Sequence, residues 1–125
     1  MKAKFLSTEG EYLEAQIEVS GKILHVMDCF NGDIYKCGDE INIDIQPGLF
    51  FEDEEWESMF TGNPNNEKKI EHQSGWSYRA YGIVKSINPV IVDCGIFSIE
   101  GPLETNDERL VGDSVAFTIT RMDAN

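Results

Sequence analysis

Two stretches of this chain share one pattern. Cys37-Gly38-Asp39-Glu40-Ile41-Asn42-Ile43-Asp44-Ile45 and Val111-Gly112-Asp113-Ser114-Val115-Ala116-Phe117-Thr118-Ile119 each read Gly-Asp, one further residue, then an apolar residue at every second position. Glycine accepts the positive φ of a tight turn, and aspartate bonds the backbone of such a turn. The alternation that follows has the period of a strand with one buried face. Each stretch is therefore a turn feeding a core-facing strand, and its recurrence directs the chain towards an all-β fold.

Other segments agree. Tyr12 to Val19 alternates, with Leu13, Ala15, Ile17 and Val19 on one face and Tyr12, Glu14, Gln16 and Glu18 on the other. Ser20-Gly21 turns the chain, and Lys22 to Cys29 returns as a strand that is apolar on both faces. In the second half, Tyr78 to Ile87 reads as a strand, Asn88-Pro89 as a turn, and Val90 to Cys94 as the return. Each half thus runs strand, turn, strand ending in Asp-Cys, connection, Gly-Asp strand. Internal duplication fits this order; chance likeness between common β-meanders fits it too and is the simpler reading. Six to eight short strands, as counted from these segments, suit a barrel or a sandwich.

Between the halves, from about residue 47 to 76, the pattern changes. Trp56, Met59 and Phe60 are spaced i, i+3 and i+4, so they share one face of a helix. Acidic residues crowd its start, where they complement the positive helix end, and Gly62 and Pro64 stop it. One short helix is expected, followed by a polar, mobile loop over Asn63 to Lys69.

Length and charge bound the function. The 125 residues suit a single β-domain spanning 1–125. No apolar run approaches the ~20 residues of a membrane helix. The first residues lack the apolar core of about 7–15 that a secretory leader needs. A cytoplasmic protein is expected, in keeping with three cysteines (Cys29, Cys37, Cys94) that form no Cys-x-x-Cys pair and read as reduced thiols. The net charge of −13 speaks against nucleic acid, because phosphate binding leaves a basic footprint and only ten lysines and arginines are available.

Nothing in the sequence marks catalysis. His25 and His72 sit in no recognisable nucleophile context, there is no Gly-x-Ser-x-Gly elbow, and no glycine-rich phosphate loop occurs. Calcium-loop register is absent at Asp28 to Asp33. His25 and Cys29, four residues apart on one strand, would stand ~13 Å apart, too far for a shared metal. No cofactor, metal or catalytic residue is assigned, and the reading is non-enzymatic; a buried pocket holding His25 or His72 beside carboxylates is the arrangement that would favour an enzyme instead.

The acids are unevenly spread. From Asp28 to Glu57 there are ten acidic residues against one lysine, Lys36. Asp44, Glu52, Asp53, Glu54, Glu55 and Glu57 could form one patch around Phe51 and Trp56, combining electrostatic steering with an aromatic anchor. These eight residues are the first candidate site, and a basic protein is the partner they imply. A second candidate is the aromatic set Trp76, Tyr78, Tyr81 and Phe97, which on an open barrel face could stack on bases or sugars.

Residues 80–121 resemble the oligonucleotide/oligosaccharide-binding barrel, particularly the RNA-binding barrels that occur as repeats in ribosomal proteins. The resemblance lies in Gly82-Ile83-Val84, in Val92-Asp93-Cys94-Gly95 with Phe97 shortly after, and in Gly112 to Ile119. It implies an antiparallel, partly open barrel, into which the short helix read above is inserted; a two-sheet β-sandwich is the alternative. The family's basic binding face has no counterpart, since 104–108 read Glu-Thr-Asn-Asp-Glu. The expected function is accordingly an acidic protein-binding module, in composition like inhibitors or immunity proteins that neutralise a basic toxin or nuclease. A barrel that binds oligonucleotides or small ligands is the alternative.

Overall fold

In the computed structural model, which describes residues 1–125, the chain forms ten strands, one α-helix and two 3₁₀ turns. The strands of the first half are β1 (Lys2–Thr8), β2 (Glu14–Val19), β3 (Lys22–Asp28), β4 (Glu40–Asn42) and β5 (Ile45–Phe50). The helix α1 (Trp56–Thr61) follows, then β6 (Lys69–Ser74), β7 (Ser77–Ser86), β8 (Ile91–Asp93), β9 (Ser98–Glu100) and β10 (Ser114–Ala124). The 3₁₀ turns are Gly32–Ile34 and Glu108–Leu110. All ten strands join one sheet, so the fold is a mostly β, partly open barrel with one short helix, not two stacked sheets. No helix is long and apolar enough to cross a membrane.

The curl can be followed through the pairings. β1 pairs with β2 and β2 with β3, both antiparallel. β3 meets β10 in parallel, through Met27 and Asp28 against Asp123 and Ala124. Ile119 pairs with both Phe50 and Tyr78, so β5 and β7 hold opposite edges of β10. From β5 the chain leads back through Ile43 and Asp44 to β4, which pairs with β1. The circuit thus returns to its start, and the two-residue contact of β3 with β10 is its narrowest seam. Tyr78 of β7 bridges the gap beside it, its phenolic oxygen accepting the His25 N–H at 2.6 Å.

The Gly-Asp turns do the same job twice. The sheet order contains β4-β1-β2-β3 and β10-β7-β8-β9, each a Greek key in which the fourth strand returns beside the first. In the first unit, Gly38 N–H donates to the Phe5 carbonyl at 2.8 Å and Phe5 N–H to the Asp39 carbonyl at 2.8 Å. In the second, Gly112 N–H donates to Val84 at 2.8 Å and Val84 N–H to Asp113 at 2.9 Å. The two glycines stand at φ +97° and +96°. The likeness of the halves therefore extends to topology and hydrogen bonding. The frame differs from the one expected: the first unit begins at β1, a strand the sequence pattern did not single out. Asp28 ends the third strand of its unit, with Cys29 just after it, whereas Asp93 ends the second, with Cys94 just after it.

Both units feed one core. Phe5, Ile17 and Leu24 from the first join Val84, Val92 and Ile99 from the second in a contiguous cluster of 26 buried residues. Ile41, Ile43 and Ile45, and Val115, Phe117 and Ile119, are all buried, as their alternation requires. Strand β3 departs from expectation: Leu24, Val26 and Asp28 point inwards, while Ile23 is exposed. The buried Asp28 carboxylate accepts the Thr8 hydroxyl at 2.6 Å and the N–H groups of Phe30 at 3.1 Å and Gly32 at 3.2 Å. These bonds satisfy its oxygens and fold the chain leaving β3, which makes Asp28 part of the scaffold.

β7 gives one edge to β10 and divides the other between β6, up to Tyr81, and β8, from Ile83. The change of partner falls at Gly82. A Cβ there would lie 2.5 Å from both the Asp93 carbonyl oxygen and Val92 Cγ1, so no side chain fits. Gly82→Ala is expected to lower stability by about 2–3 kcal/mol through this clash. Gly38→Ala and Gly112→Ala should each cost about 1–2 kcal/mol through backbone strain. Urea unfolding followed by tryptophan fluorescence checks all three. A Gly82→Ala midpoint equal to the parent's would show that the approach of β8 to β7 tolerates a methyl group.

Candidate functional site

The excursion between the halves is shorter than the sequence pattern suggested. Residues 47–50 belong to β5 and 69–74 to β6, which leaves 51–68 outside the sheet, with α1 in its middle. Two polar side chains pin this segment. The Glu54 side chain, 8% exposed, forms an ion pair with Arg79 of β7. Its second oxygen accepts the Thr118 N–H of β10 at 2.8 Å. Arg79 also donates to the Thr118 hydroxyl at 3.0 Å. Farther along, Asn63 is 2% exposed. Its amide nitrogen donates to the carbonyls of Glu67 at 2.9 Å, Gly82 at 3.3 Å and Val115 at 3.3 Å, and its oxygen accepts the Glu67 N–H at 2.8 Å. The polar loop expected over Asn63 to Lys69 is present over 63–68; it starts at a buried anchor, Asn63, and Lys69 already belongs to β6.

Between the pins, α1 lies against β10. Met59 enters the core, and a Cβ on Gly62 would come within 3.2 Å of Ala116 Cβ. Ala116 points away from the barrel interior yet is fully buried beneath this contact. The small side chain at that place lets the helix approach.

The outer side of the segment carries the opposite chemistry. Trp56 and Phe60 stack with ring centroids 5.9 Å apart. Trp56 remains 47% exposed and Phe51 50% exposed. Glu52, Asp53, Glu55 and Glu57 are exposed around them. Beside the stack, between α1 and residues 105–110, lies a cleft of about 520 Å³. Trp56, Phe60 and Leu110 supply its apolar lining, with Glu57 and Asp107 also on its wall.

The eight residues proposed from sequence do not form one patch. Glu54 turns inwards and is consumed by Arg79 and Thr118. Asp44 is exposed, but it lies at the far end of β5, its backbone paired with Asn125. At ~3.3 Å per residue it stands up to ~23 Å along the strand from Phe51. Six residues remain together: Phe51, Glu52, Asp53, Glu55, Trp56 and Glu57.

The second aromatic set is dispersed as well. Tyr78 is fully buried and Phe97 is 7% exposed, both in the core. Tyr81 lies on the opposite face of β7, with the Lys69 ammonium 4.8 Å from its ring centroid. Trp76 is half-buried in the turn between β6 and β7. No common stacking surface results.

One cluster escaped the sequence reading. His25 of β3 and His72 of β6 stack at 4.8 Å, and His72 lies 5.0 Å from the Tyr78 ring. His25 Nδ1 is 2.9 Å from Glu14 Oε1. The cluster ties the hairpin of β6 and β7 to β3 beside the narrow seam. No linear motif could have signalled it, because the two imidazoles meet only through strand pairing. No group of three or more His, Cys, Asp or Glu side chains is placed to hold a metal ion.

No protein-family model, curated protein or solved structure matches this chain.

The three cysteines differ in environment. Burial pushes the Cys94 thiol up to about 12, with the charge of Asp93 adding to it. Burial, then the charge of Asp123, raises that of Cys29. Cys37 is exposed. At about pH 8 a chromogenic disulfide reagent should titrate Cys37 rapidly, Cys29 slowly and Cys94 only after unfolding, since the thiolate is the reactive form. Rapid reaction of all three in the native protein would contradict the packing described. Glu54→Ala should destabilise the protein by about 2 kcal/mol, the low side of a buried pair because Arg79 is partly solvated. A chemical-denaturation midpoint unchanged from the parent would show that the pin does not hold the segment.

Proposed function

We propose that this chain is a non-enzymatic protein-binding module whose acidic, aromatic face, Phe51 to Glu57, engages a basic protein partner, in the manner of an inhibitor or immunity-type protein. One observation carries the reading. Two large aromatic side chains, Phe51 and Trp56, stay about half exposed among four exposed carboxylates, on a segment that a buried carboxylate fastens to the sheet. An apolar anchor within a ring of like charge is suited to a partner that is itself charged at the rim and apolar at the centre. Fastening the segment beforehand reduces the ordering cost of association. The net charge of −13 would steer a basic partner over a longer range and repel acidic ones.

A cytoplasmic location belongs to the same reading, on the strength of three unpaired cysteines. The alternative of a ligand-binding barrel gains no support from the placement of Tyr78 and Phe97 in the core.

The test is charge reversal restricted to the outward acids. Glu55→Lys with Glu57→Lys leaves the Glu54 pin intact, so folding is preserved. Proteins captured from host extract on the immobilised chain at low salt should be released at high salt. The reversed variant should hold them at least roughly tenfold more weakly. Equal capture by parent and variant would refute this face as the binding surface.

A further inference from the structure

We infer that the cleft between α1 and residues 105–110 is the specificity pocket of the proposed face, and that it takes one large apolar side chain of the partner with lysine or arginine on either side of it. This rests on the protein-binding reading above and adds the chemistry of the occupant.

The cleft has a distinct composition. Trp56 and Phe60, stacked on each other, form one side, and Leu110 of the second 3₁₀ turn contributes the apolar surface opposite. Its volume of about 520 Å³ exceeds the space a single leucine or phenylalanine side chain fills, so the flanking backbone of an incoming segment is also accommodated. Glu57 and Asp107 lie on its wall, and exposed acids adjoin its lining residues in the chain: Glu55 on the helix side and Glu104 and Glu108 on the loop side. The cations beside it are already paired: Arg109 with Asp107 through two bonds of 2.9 and 2.8 Å, and Arg79 with Glu54. An apolar pocket between acidic banks is complementary to an apolar side chain between basic ones.

The same charges argue against the other obvious occupant, a second copy of this chain. Two molecules of net charge −13 would bring their carboxylates together at the pocket. The pocket also joins parts of the sequence that the linear pattern kept apart, the helix after the first Greek key and the turn that precedes the last strand. Both of its walls are held by the fold: α1 by Met59 in the core, the loop by Leu103 in the core on one side and by the Gly112 N–H on the Val84 carbonyl at 2.8 Å on the other.

The test uses the intact chain and two synthetic probes: a short peptide rich in lysine and arginine with one central leucine, and the same peptide with alanine in that place. Tryptophan fluorescence follows binding, since the probes contain no tryptophan. The leucine peptide should bind roughly tenfold more tightly than the alanine peptide, and salt should weaken both in proportion. Thr61→Phe fills the cleft from an exposed helix position without altering any charge. It should reduce the leucine peptide to the affinity of the alanine peptide and leave the latter unchanged.

Equal affinity of the two peptides, lost on Glu55→Lys with Glu57→Lys, would overturn the pocket while leaving the acidic face standing. Absence of binding by either peptide at low salt would overturn both. Sedimentation showing a dimer of the free chain that Trp56→Ala dissolves would identify a second copy as the occupant and overturn the assignment.

Discussion

Strand β10 has more hydrogen-bonding groups than any single neighbour can satisfy, and the rest of the structure is arranged around them. Its first part pairs with β7 and its last residues with β3, along one edge. Its second part pairs with β5 along the other. Beyond the end of β5 that second edge would be open, with the Thr118 N–H and nearby carbonyls unpartnered. An open edge is both a desolvation cost when covered and a template for unwanted pairing when exposed. The segment from 51 to 68 resolves this with one main-chain and one side-chain bond: Phe51 N–H donates to the Thr118 carbonyl and the Glu54 carboxylate accepts the Thr118 N–H, while on the other edge the Asn63 amide donates to the Gly82 and Val115 carbonyls where β7 pairs with β10.

The insert is thus an edge cover before it is anything else, and this explains its divided chemistry. The side facing the sheet supplies one carboxylate, one amide and Met59. The side facing away has no sheet to satisfy, yet it keeps Trp56, Phe51 and four acids. Core packing accounts for Met59 and partly for Phe60, but it does not require a half-exposed tryptophan. The helix is anchored without it.

Much of the scaffold could be read from the residues because strands with one wet face leave a period of two. The Gly-Asp turns, the alternation of β2 and β10, and the short helix were all visible in that way. β1 and β6 were not. β1 has two core residues, Ala3 and Phe5, separated by lysine, and β6 buries Ile70 alone, so neither offers enough alternation to stand out. The candidate site was legible in composition but not in geometry. Six consecutive and near-consecutive residues around Trp56 were found because they lie together in sequence. Glu54 could not be told from its acidic neighbours, since only the position of Arg79, on a strand 25 residues away, decides which carboxylate turns inwards. Asp44 was misplaced because an extended strand carries charge away as efficiently as it carries the chain. Leu110 and the histidine stack were missed because each is completed by a residue from a distant segment.

The inward turn of Glu54 also bears on what the face can do. Four acids and two aromatics on an unfastened loop would lose conformational freedom on meeting a partner, and much of the interaction energy would offset that loss. Here the loss occurs during folding, because the central carboxylate and a buried asparagine settle the path of the chain at both ends of the helix. What remains outside is already in place, with its apolar surface unspent and its charges unpaired. A surface of that kind suits rapid, electrostatically guided docking more than slow folding on a partner. The demand that β10 places on its covering segment and the readiness of the outer face therefore have the same origin, in a carboxylate whose partners lie on two strands of the barrel.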